Sequence, residues 1–149
     1  MKDVVEVEIT VPQQELAGLF ADPRNSPKWM LDLERYEPVS GKEGMPGSMY
    51  RLVPKEGEMV FLATVVELNL PGELKLHLKA SGVEVAITST LIALSPTRTK
   101  LISEELFTFK GPDNATVSPS VKDAIHAAHS RHMEDFRIFA ERWYHEEGH

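Results

Sequence analysis

The sequence contains no cysteine, which excludes disulfide frameworks, thiolate metal sites and cysteine nucleophiles together, and fits a reducing compartment. It also lacks a long apolar run. The longest, Met59–Ala63, falls far short of the roughly 20 residues needed to cross a bilayer. The opening MKDVVEVEIT alternates charge with valine and offers no continuous apolar stretch for a secretion signal. Positive charge is scarce as well: 16 Lys and Arg against 23 Asp and Glu leave a net charge of −7, which repels a phosphate backbone. These absences predict a cytoplasmic protein that neither inserts in membranes nor binds nucleic acid. What is present is ordinary globular material, 149 residues with 42% hydrophobic and 26% charged side chains, enough for one domain spanning 1–149.

Hydrophobic periodicity divides the chain into elements. Val5, Val7, Ile9 and Val11 alternate with Glu6, Glu8 and Thr10, predicting a half-buried strand over residues 4–11. Leu16, Leu19 and Phe20 then recur at helical spacing until Asp22-Pro23 breaks the pattern. A second short helical turn carries Trp29. Six further strands are predicted over 33–39, 48–53, 59–68, 74–80, 83–94 and 100–109, joined by Gly- and Pro-bearing turns short enough to impose antiparallel pairing. Ser118 as N-cap and Pro119 in the first turn open a helix of about 25 residues with no Gly or further Pro before Gly148. Val121, Ile125, Ala128, His132, Phe136, Phe139 and Trp143 fall within one arc of roughly 80° on that helix.

Strand, two short helices, six antiparallel strands and one long C-terminal helix resembles the helix-grip fold of the START-related superfamily that includes polyketide cyclases and pollen-allergen-like proteins (SRPBCC). The segments VEVEITVPQQEL, ADPRNSPKW and MPGSMYRL resemble its first strand running into a helix, its Asp-Pro…Trp stretch and its Gly-Ser entry to the third strand. The resemblance spans nearly the whole chain. It implies an α+β fold in which a curved antiparallel sheet of about seven strands wraps the long helix, with an apolar cavity between them for lipids, polyketides or other hydrophobic small molecules. GKEGMPGS lacks the consecutive glycines of the plant pathogenesis-related branch, and no Rieske extension is present.

Within this frame His132 lies at the centre of the helix's apolar arc and is expected to face the sheet, where imidazole serves as acid, base or neutral donor; it is the candidate catalytic residue, with Asp135 three residues on to orient it. Glu104 and Glu105 are adjacent in a strand, so one carboxylate faces inward. Glu105 shares its face with Phe107 and Phe109 and is the expected inward residue, with His132 its expected donor and an open rim the alternative. His126, His129 and His132 repeat at i, i+3 and i+6, but the outer two are about 120° apart on the helix and no Cys or suitably spaced carboxylate completes a set. No metal and no cofactor are therefore expected. The three histidines read as a partly solvated helix face, with His129 near the edge of the arc and able to reach a cavity mouth.

Trp29, Met30 and Tyr50 near the entrance loops, Phe61 on its strand, and Ile125 and Phe136 on the helix complete the expected ligand-binding set, although core packing is the commoner fate of such side chains. The loop Gly41–Gly47 lacks phosphate-wrapping spacing and reads as a gate or a simple turn. Asn114-Ala115-Thr116 matches a glycosylation acceptor that a chain without a secretion signal would not use.

Three functions compete. A carrier of a hydrophobic small molecule needs only the fold. A cyclase or dehydratase needs His132 to shuttle a proton, and no activated nucleophile, metal set or unambiguous acid–base pair supports it. A chaperone-activator-like interaction domain would use the outer sheet face, where Val60, Leu62, Val66, Ala86, Ile92 and Leu94 leave room for a partner or a homodimer. Binding without catalysis is the favoured reading.

Overall fold

The periodicities close into one antiparallel sheet. A computed structural model describes residues 1–110 and 117–147; the Asn114-Ala115-Thr116 site and Gly148, the expected end of the last helix, lie outside the described residues. The strands are β1 (Lys2–Ile9), β2 (Leu33–Ser40), β3 (Met49–Pro54), β4 (Phe61–Asn69), β5 (Glu73–Ala80), β6 (Val83–Ser95) and β7 (Arg98–Phe109), and the helices are α1 (Gln13–Ala21), α2 (Ser26–Trp29) and α3 (Pro119–Glu146). A short 3-10 turn, Pro23–Asn25, joins α1 to α2. Strand order across the sheet is β1-β7-β6-β5-β4-β3-β2. This is the expected seven-stranded α+β arrangement, with boundaries within two or three residues of the periodicity. Met59 and Val60 are the chief exceptions: they lie exposed ahead of β4.

Both ends of the sheet are edge strands, and β2 is an irregular one. Its pairing with β3 shifts register twice, and Pro38 contributes no amide hydrogen to a ladder. Apart from single shifts at Val65/Glu67 and Ala93/Ser95, the remaining register assigns faces directly, because residues opposite each other in a ladder share a side. One inward row runs Asp3, Glu105, Ile87, Leu76, Val65. The next runs Phe107, Val85, Leu78, Ala63, Tyr50.

Two apolar cores form on this inner face. One joins Ile9, Val11, Leu16, Leu91 and Leu101 to Met133, Phe136 and Ala140 of α3. The other joins Leu33, Tyr50, Leu52, Ala63, Val65 and Leu74 on the β2–β5 side. Helix α3 is started by the Ser118 hydroxyl, which accepts from the Val121 amide, and by Pro119, whose missing amide hydrogen costs nothing in a first turn. It lies along β1 and meets α1 and α2. Further anchorage comes from Glu141, which accepts from the Thr10 amide at 2.9 Å. Inside the core, the Thr99 hydroxyl donates to the Val11 carbonyl at 2.8 Å and satisfies a buried polar pair.

The loop between β2 and β3 depends on a glycine. Gly41 adopts φ 78°, and a Cβ there would stand 2.8 Å from the Ser48 Cα. Gly41→Ala is therefore expected to lower unfolding free energy by about 1–3 kcal/mol. Urea unfolding checks this, and a variant as stable as the parent would show that the loop relaxes freely.

Candidate functional site

The helix phase decides which polar groups meet the sheet. The fully buried residues of α3 are His129, Met133, Phe136 and Ala140, a stripe rotated by about 70° from the arc centred on His132. His132 is thus not at the centre of the packed face. It is half-buried, its Nε2 lies 3.4 Å from Asp32 Oδ1, and that nitrogen makes no hydrogen bond although it is shielded from solvent. The side of α3 carrying Ile125, Ala128, His132 and Phe139 is half-buried throughout.

His129, 2% exposed, occupies the position expected for His132. Its Nδ1 lies 2.7 Å from Asp3 Oδ2 and 3.2 Å from Glu105 Oε1, and its Nε2 lies 2.8 Å from Ser103 Oγ. His126 Nδ1 reaches the other Asp3 oxygen at 2.9 Å. The inward carboxylate is Glu105, as its phase with Phe107 and Phe109 implied, whereas Glu104 points outward to Lys2 at 3.1 Å. Its partner is His129, not His132, and it does not sit on an open rim. Burial, reinforced by the charge of Asp3, pushes Glu105 up to about 7. Burial likewise pushes the His129 imidazole down, against the opposing pull of Asp3.

Several expectations change accordingly. His129 is a core residue rather than a rim residue, and with His126 it meets a carboxylate that the helix alone does not supply. Asp3, Glu105 and His129 place one ligand atom each within 4.8 Å of one another. Asp3 and Ser103 were missed in the sequence, and the signal for both was present. Asp3 is in phase with Val5, Val7 and Ile9 once the strand is extended two residues back, and Ser103 is in phase with Glu105.

The apolar candidates divide between core and groove. Trp29 stacks at 6.2 Å from Phe20 and meets Phe136 edge-on at 5.1 Å, so it closes the first core. Phe136 is fully buried there. Tyr50 is buried in the second core with its ring 6.2 Å from Tyr36, and burial pushes its hydroxyl up to about 12. Met30 and Phe61 are half-buried at the edge of that core. Leu76 and Leu78, packed against the second core, and Ile87, Phe107 and Phe109 face inward yet stay half-buried, with the two phenylalanine rings stacked at 6.0 Å. The main contacts of helix α3 are with β1, α1 and α2 rather than with β5–β7. Two hollows lie elsewhere. One of ≈ 20 Å³ sits between Tyr36, Tyr50 and the Gly41–Gly44 turn, room for a single water, and an open one of ≈ 280 Å³ lies beside Arg24 and Met45.

Solved structures share this arrangement across nearly their whole length. A START superfamily protein from Mycobacterium smegmatis superposes with TM-score 0.81 at 16% identity, covering 95% of this chain and 98% of its own. The chain has the START-like helix-grip fold. A Zhui aromatase/cyclase from Streptomyces sp. R1128 gives TM-score 0.79 at 16% identity, covering 99% and 98%. Ara h 8.0201 gives 0.75 at 16%, covering 94% and 97%. No protein-family model matches the chain, and no curated protein matches it in sequence. In this helix-grip protein the polar cluster of Asp3, Glu105, Ser103 and His129 joins β1 and β7 to α3. None of the helices among the described residues is long and apolar enough to cross a membrane. On the outer sheet face Ile92 is exposed and Leu62 half-buried, while Val66 and Leu94 are exposed at register shifts and Val60 ahead of β4.

Proposed function

We propose that the protein binds a hydrophobic small molecule, lipid- or polyketide-like in character, along the groove between the inner face of β5–β7 and helix α3. The observation that carries this reading is the set of residues Leu76, Leu78, Ile87, Phe107 and Phe109, which the sheet register places on the inward face and which stay only half-buried. Inward apolar surface left half-open across the concave side of a sheet is surface a ligand can remove from water, at about 25 cal/mol per Å². Ile125 and His132 supply the opposite wall, and the buried Nε2 of His132, with no hydrogen-bond partner, is the polar group on that wall suited to a ligand oxygen. The solved helix-grip structures that superpose on the chain support the reading by fold. One is described as an aromatase/cyclase, and another, a norcoclaurine synthase, was solved with dopamine and hydroxybenzaldehyde.

The test is a thermal-shift and native mass-spectrometry screen of fatty acids, flavonoids and aromatic polyketides. A ligand at a hundred times its dissociation constant should raise Tm by roughly 5–10 °C. Ile125→Arg places a charge on the helical wall without touching either core, and it should abolish the shift while leaving the unliganded Tm within a few degrees. Shifts of equal size in the variant would move the ligand away from the groove, and a screen with no shift and no retained mass would remove the proposal.

A further inference from the structure

We infer that Asp3, Glu105 and His129, with His126 at the rim, form a site for a divalent transition-metal ion of the Zn2+ class that ties α3 to β1 and β7. Two carboxylates stand directly opposite each other in an antiparallel pair, Asp3 against Glu105, on the inward side of the sheet. Like charges in that position repel, and the repulsion is relieved when something positive lies between them. Among the described residues, the basic side chains beside these two carboxylates are imidazoles: His126 and His129 for Asp3, His129 for Glu105.

The imidazole between them is oriented from behind. Ser103 Oγ lies 2.8 Å from His129 Nε2. When Nε2–H donates to that hydroxyl, the Nδ1 lone pair is turned toward both carboxylates, the outer-shell arrangement that fixes a metal-ligating histidine. Three acceptor atoms then converge: Asp3 Oδ2 at 2.7 Å and Glu105 Oε1 at 3.2 Å from Nδ1. Ligand atoms at about 2.0–2.1 Å from a tetrahedral ion stand about 3.3 Å apart, so small outward movements admit the cation. His126 Nδ1 holds the second Asp3 oxygen at 2.9 Å and so orients that carboxylate from the rim, outside the converging three.

Nitrogen and carboxylate donors without sulfur, few in number and held on two paired strands and a helix, suit Zn2+. Mg2+ and Ca2+ require six or more oxygens. This site stands apart from the groove ligand, and neither proposal depends on the other.

The experiment uses the full chain stripped with a chelator. Titration with ZnCl2 by calorimetry should show one equivalent per chain, MgCl2 should show none, and CoCl2 should develop the visible absorption of tetrahedral Co2+. Glu105→Gln, which keeps the shape of the side chain, and Asp3→Asn should each weaken Zn2+ by at least about tenfold and remove the Co2+ band. His145→Gln, on the exposed end of α3, should leave both unchanged. Absence of stoichiometric Zn2+ binding, affinity unaltered in Glu105→Gln, or binding lost in His145→Gln would each overturn the inference. Should Asp3→Asn not fold, Glu105→Gln decides alone.

Discussion

Phe136→Ala is expected to lower the free energy of unfolding by about 3–5 kcal/mol. The ring is 0% exposed and meets Phe20 at 4.9 Å, Trp29 at 5.1 Å and Phe139 at 6.4 Å. Those contacts join α1, α2 and α3 at one point, so the hole left by truncation cannot be filled by moving one element alone. Domains keep only about 5–15 kcal/mol in total, and the variant would retain a small remainder. Urea unfolding should show a lower midpoint with an unchanged slope. A loss under about 1 kcal/mol would mean that the three helices do not share this core.

Glu105→Gln is expected to act in the opposite direction, and only in part of the pH range. The native Glu105 carboxyl is raised to about 7 from 4.5, so between those values the folded chain holds a proton that the unfolded chain has released. Stability from this group is complete below about pH 4.5 and falls as pH rises to about 7, by on the order of 2–3 kcal/mol. Lowered His129 contributes the opposite slope below its ordinary value of 6.5, because the unfolded chain then takes up a proton that the folded one resists. The wild-type profile is therefore a sum, and the difference between wild type and variant isolates Glu105. In chelator-treated protein the Gln variant should be more stable than wild type at pH 8 by on the order of 2 kcal/mol, with the gap closing toward pH 5. Equal stabilities at pH 8, measured by urea unfolding, would show that the carboxylate is not held in an unfavourable place.

The sequence discloses the fold more readily than the site, for a physical reason. Strand alternation and the Ser118-Pro119 helix start are local patterns, and short turns leave few ways to pair consecutive strands. The site depends on the rotation of α3 about its axis, which is settled by what the helix packs on. Its apolar arc is wider than its packed stripe. The large residues Ile125 and Phe139 lie on the groove side, while His129 and Ala140 are small or polar enough to approach β1 closely. An arc drawn from hydrophobicity alone therefore centres on His132 and misses His129 by about 70°. Glu105 was legible because two phenylalanines mark its face. Asp3 shares the phase of Val5, Val7 and Ile9, but what an acidic residue does there is set by Glu105, a hundred residues away in the chain.

The broken rhythm of β2 has a consequence for self-association. A β-sheet extends from molecule to molecule when an outer strand presents an even ladder, and here one border is spoiled by Pro38, two register shifts and the charges of Glu34, Arg35 and Glu37. Fibril growth from that margin is blocked by the backbone itself. Strand addition between two copies is left to the opposite border, where Lys2, Glu6 and Glu8 set their own electrostatic terms.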